Sequence, residues 1–113
     1  AKTGSPIGRI EAWSVHDLAG KRDEEEIFLL DVRDRENVRK FGRIPGSHHI
    51  FVGEIPLRFR EVPRDRLVVI SCDAGFKGSL AASILARNGY QRLANVIGGM
   101  AAYLNAGYPV EKE

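Results

Sequence analysis

Three short apolar runs, none of them alternating with polar residues, limit what this chain can fold into. They are Ile27 to Val32 (IFLLDV), Leu67 to Ser71 (LVVIS) and Leu93 to Ile97 (LANVI). A strand with one wet face would alternate, whereas a continuous run suits a strand covered on both faces, as in a parallel sheet. Ile10 to Trp13 and His48 to Phe51 are shorter candidates. Helical patterns fall between the runs. Ser14 can cap Val15 to Ala19, and Asp34 can cap a helix to about Lys40, with Gly42 just past its end. Gly53 to Phe59 suggests a further short helix. Ser79 to Asn88 is the clearest, with Leu80, Ile84 and Leu85 at helical spacing and Gly89 beyond its end. A last helix covers Met100 to Asn105, closed by Gly107 and Pro109. Strand and helix alternate throughout, which predicts an α/β domain: a central, mostly parallel five-stranded sheet with helices on both faces. Ligands of such sheets bind beyond the carboxyl ends of the strands.

A chain of 113 residues has room for one core but hardly for two. Residues 7–113 read as a single domain, and Ala1 to Pro6 as a linker remnant, with Ala rather than Met suggesting a processing boundary. Hydrophobic residues at 43% and charged residues at 28% are ordinary for a soluble globular protein. No apolar run nears the roughly 20 residues of a membrane span, and no secretory signal is visible. The expected location is the cytoplasm. A net charge of +2 with interleaved signs argues against a nucleic-acid binder. The basic residues Arg58, Arg60, Arg64 and Arg66 are broken up by Glu61 and Asp65, and read as a solvated face.

The chain has one cysteine, so neither an intrachain disulfide nor a thiolate-rich metal site can form. Cys72 directly follows the run LVVIS. Asp73, Ala74, Gly75, Phe76, Lys77 and Gly78 come next, and then the clearest helix. The thiol therefore stands at a strand's carboxyl end, in a glycine-containing loop that opens a helix. Backbone N–H groups of a tight loop can converge on an anion, the helix N-terminus adds positive potential, and Lys77 adds a formal charge. All three favour a thiolate, or a persulfide anion, at Cys72. Gly75 and Gly78 let the backbone wrap closely. The alternative is a structural cysteine packed beneath the next helix.

These residues resemble a known family. Rhodanese domains carry a loop of the form C-x-x-G-x-R after a buried strand, and Cys72 to Lys77 matches it with Lys in place of Arg. Leu29 to Arg33 resembles the family's LLDVR segment, Gly42 to Ser47 its GHIPGA turn, Asn95 to Met100 its NVxGGM segment, and Ala106 to Val110 its usual ending. His48 to Ile55 is similar to the HHIxVGEL stretch of rhodanese domains fused behind metallo-β-lactamase-fold hydrolases, persulfide dioxygenase relatives among them. The resemblance implies a rhodanese-like fold and a ping-pong sulfurtransferase without a cofactor. Cys72 would take a sulfane sulfur from thiosulfate or a low-molecular-weight persulfide and pass it to cyanide or a thiol. Asp73, Ala74, Gly75, Phe76, Lys77 and Gly78 would form the substrate loop. A metallo-β-lactamase-fold domain in the same full-length chain is the implied partner, with no nucleic acid or membrane involved.

Two positions depart from the pattern. Lys77 replaces an arginine, and a flexible point charge grips an oxyanion less rigidly than a planar fork. Gly78 stands where serine is usual. Two alternatives stay open: a regulatory or sulfur-relay module with little thiosulfate activity, and a cysteine phosphatase or arsenate reductase. The phosphatase loop has one more residue before its arginine, and that position is Gly78 here.

Asp31 and Arg33 end a core strand near the active face and are expected to brace the loop. His48 and His49 are adjacent, so in a strand they face opposite ways and cannot easily share a metal; no metal is expected. His16 reads as a surface residue, so no Cys–His pair is evident. Trp13 and Phe28 read as core. Phe76, an aromatic at the loop tip, could belong to the core or to the rim of a substrate mouth.

Overall fold

The computed structural model describes residues 10–22, 26–74 and 76–112. The expected linker Ala1 to Pro6, and Gly75 of the expected substrate loop, lie outside the described residues.

Strands β1 (Ile10–Trp13), β2 (Ile27–Asp31), β3 (His48–His49), β4 (Leu67–Ser71) and β5 (Leu93–Val96) form one sheet in the order β1-β5-β4-β2-β3. Every pairing within it is parallel. Its helices are α1 (Val15–Lys21), α2 (Arg35–Phe41), α3 (Ile55–Arg58), α4 (Phe76–Arg87) and α5 (Gly99–Asn105). The caps follow the sequence. Ser14 and Asp17 form a reciprocal capping box at α1, and the Asp34 side chain accepts from Asn37 N at α2.

Side chains of the central strands alternate between two apolar clusters, one for each face of the sheet. Leu30, Val68 and Ile70 pack with Ile55, Ala81, Ala82 and Leu85 of α3 and α4. Leu29, Leu67, Val69 and Val96 pack with Val15, Leu18, Met100 and Tyr103 of α1 and α5. All five residues of β4 are buried, which explains its unbroken apolar run. Trp13 lies in the core and Phe28 at its margin.

Two elements differ from the sequence reading. The strand expected over His48 to Phe51 is only two residues long, although Ile50 N and Val52 N still donate to Asp31 O and Val32 O at the end of β2 before the chain enters a 3-10 turn at Val52–Glu54. The helix expected from Ser79 begins at Phe76, so Phe76, Lys77 and Gly78 form its first turn rather than a free loop. Apolar periodicity starts only at Leu80, whereas a helix's first turn needs no apolar face and is set by what its N–H groups meet.

Parallel register brings the carboxyl ends of the strands level. Asp31 is paired with both His49 and Ser71. Cys72 leaves the sheet at that edge.

Candidate active site

Cys72 is buried, at 1% exposure, between the end of β4 and the first turn of α4. Gly78 faces it: a Cβ at that position would lie 3.5 Å from the Cys72 sulfur and would overlap the Asn95 side-chain oxygen. The missing side chain at 78 is therefore what lets α4 close over the thiol. Asn95, on β5, is held by a bond from its Nδ2 to Ser79 Oγ at 3.3 Å.

The backbone of the cysteine is fixed from the other side by α5. Met100 N donates to Cys72 O at 2.7 Å, and Ala101 N donates to Asp73 O at 3.0 Å. These are leading N–H groups of a helix, which have no acceptor inside it. The approach requires Gly98 and Gly99, at φ +79° and +53°, and a Cβ on Gly99 would strike the Cys72 carbonyl.

A polar ring ties the loop to α2. Asn37 Nδ2 donates to Asp73 Oδ1 at 3.1 Å. The Lys77 ammonium lies 3.4 Å from Asp73 Oδ2 and 3.7 Å from Asp34 Oδ2. The cation expected to serve the thiol is thus held between two carboxylates. Ala74 is exposed, and Phe76 is 84% exposed, so this aromatic stands on the rim and not in the core.

Asp31 and Arg33 form a buried pair. Arg33 Nη2 donates to Asp31 Oδ2 at 2.6 Å and to Gly42 O at 2.8 Å, while its Nε donates to Asp31 Oδ1 at 3.0 Å. Arg33 braces α2 at Asn37 O and Gly42 O, and Asn37 in turn bonds Asp73 of the cysteine loop. His48 bonds Glu61 and His49 bonds the Arg33 carbonyl. His16 is exposed and bonds Tyr108. Among the described residues no group of three or more His, Cys, Asp or Glu could hold a metal ion.

Beside the loop, between α2 and α5, opens a cavity of about 440 Å³. Asn37, Phe41, Asp73, Met100, Ala101 and Leu104 line it, with Arg33 at its floor. Its walls are mainly apolar, next to the residue that follows the thiol.

Asp34, Asn37 and the Gly98–Gly99 clamp were not singled out from the sequence as parts of the site. Asn95 carried a signal, since a polar residue inside an apolar run asks for a partner. Asp34 and Asn37 read only as a cap and the start of a helix.

A family model described as a rhodanese-like domain matches residues 14–106. A sulfurtransferase of Allochromatium vinosum is 35% identical over 88 residues, which span 78% of this chain and 81% of that protein. The thiosulfate sulfurtransferase GlpE of Actinobacillus succinogenes is 34% identical, over 77% of this chain and 78% of its own length. The crystal structure of a rhodanese-related protein from Thermoplasma volcanium superposes with a TM-score of 0.82 at 26% identity, covering 91% of this chain and 99% of that one.

Proposed function

The chain belongs to the rhodanese-like domain family, and from that premise we propose that it is a sulfurtransferase working through a persulfide on Cys72. One observation carries the reading: the thiol stands at the sheet's carboxyl edge, under the first turn of α4, with a glycine where any side chain would intrude. The donor is thiosulfate or a low-molecular-weight persulfide. The Cys72 thiolate attacks the sulfane sulfur, a new S–S bond forms, and the donor's S–S bond breaks with its electron pair leaving on sulfite or on a thiolate. The positive end of α4 favours the persulfide anion that remains. A thiol or cyanide then attacks the outer sulfur and returns the Cys72 thiolate, so sulfur is both cargo and electrophile and no cofactor takes part. A free thiol needs a reducing compartment, and the cytoplasm is such a place. None of the described helices is long and apolar enough to cross a membrane.

The same geometry weighs against a phosphatase. In the longer loop of that class the arginine would fall at position 78, where even a Cβ overlaps Asn95.

The test is intact mass after incubation with thiosulfate or glutathione persulfide. One added sulfur is expected on the wild type and none on Cys72→Ser, with both proteins folded. Equal turnover by folded Cys72→Ser would sink the mechanism.

A further inference from the structure

The geometry points to Asp34 as a residue that sets donor preference: by holding the Lys77 ammonium it leaves the Cys72 site poor in free positive charge, so an organic persulfide is preferred to a dianionic donor such as thiosulfate. This rests on the sulfur-transfer reading above.

The charge count carries the argument. Two carboxylates, Asp34 and Asp73, hold one ammonium, Lys77. Arg33, which lines the neighbouring cavity, is itself bound to Asp31. Thiosulfate brings two negative charges to a thiolate, so three negative charges meet in that transition state, and sulfite departs with two of them. A protonated organic persulfide brings no charge at its sulfane sulfur, and its leaving thiolate carries one. An ammonium drawn away from the donor by Asp34 and Asp73 is therefore a greater loss to the thiosulfate path than to the persulfide path. The apolar walls of the cavity beside Asp73, made by Phe41, Met100 and Leu104, offer contact to an organic group that thiosulfate lacks.

Asp34 reaches the donor through Lys77 and is a positioning residue. Asp34→Asn is a clean probe, because asparagine keeps the cap on Asn37 N while removing the charge. Asp73→Asn is the second variant, since an amide oxygen can still accept from Asn37.

The experiment measures the second-order rate of Cys72 persulfide formation by quenched-flow mass spectrometry, with thiosulfate and with glutathione persulfide. The wild type should load faster from the persulfide. Asp34→Asn should raise the thiosulfate-to-persulfide rate ratio by about tenfold, the scale of one unit charge in a partly wet site. Asp73→Asn should move the ratio the same way. A merely structural defect would slow both donors together and leave the ratio fixed. In a Lys77→Met background the gain from Asp34→Asn should vanish. An unchanged ratio in both amide variants, or an undiminished gain without Lys77, overturns the proposal. If neither donor loads the wild type, the sulfur-transfer reading itself fails.

Discussion

Arg33 is fully buried, yet it carries a charge and five donors. Asp31 takes two of its nitrogens and the Gly42 carbonyl takes a further bond. Removing one partner of such a pair strands the other charge in the interior, at a cost of about 3–5 kcal/mol. Arg33→Met should therefore lower stability by about that amount in urea unfolding. Asp31→Asn together with Arg33→Met should recover part of the loss, because no unpaired charge is then left. A loss below about 1 kcal/mol, the scale of a surface pair, would mean that water reaches Asp31. At this scale the sequence revealed the residue that stands at the strand's end and its glycine neighbours, because both are local features. It did not reveal that Lys77 is held by Asp34 and Asp73. That depends on α2 and α4 meeting at the same edge of the sheet, and nothing near Lys77 reports where α2 lies.

Among the elements, α5 has the most specific task, since its leading N–H groups hold the carbonyls of Cys72 and Asp73. Gly99→Ala would place a Cβ against the Cys72 carbonyl at a left-handed φ. It should cost about 2 kcal/mol or more, of which the backbone conformation alone accounts for roughly 1–2. It should also slow sulfur loading of the folded protein, because Cys72 must shift. Gly20→Ala, in α1 with nothing within 4 Å, is the contrasting case. It should stabilise by about 0.5–1 kcal/mol. Thermal melts of the two variants shifting the same way would contradict this account of the glycines. The order and type of elements were readable because buried runs and caps are written locally. The start of α4 and the end of β3 were not, since both involve contacts distant in sequence: Gly78 in the first turn of α4 packs against Asn95 and the Cys72 sulfur, and past His49 the chain still bonds the end of β2 through Ile50 N and Val52 N.

For the whole molecule, the sheet order places stability unevenly. β4 is buried along its full length between β5 and β2, and Cys72 hangs directly from its end. The opposite case is the segment from β3 through α3 to the 3-10 turn Phe59–Glu61, made of very short elements. Much of its polar fixing comes from Arg58, which bonds Glu54 at 2.9 Å and Glu61 at 2.7 Å, while His48 bonds Glu61 at 2.8 Å. Arg58, and then His48, hold the Glu61 carboxyl down to about 2 from its ordinary 4.5. A carboxyl with a lowered folded value adds stability above its unfolded value, and that stability is lost as pH falls toward the folded one. The window for Glu61 is therefore about 4.5 down to 2. Amide exchange, corrected for intrinsic rates, should show the greatest protection in β4 at neutral pH and much less around Ile55–Arg58. On acidification through that window, protection around α3 should fall before that of β4. Glu61→Gln should already show the weaker α3 protection at neutral pH and change less on acidification. If β4 and α3 lost protection together at every pH, the fold would open as one unit, and the edge carrying Cys72 would be no firmer than the rest.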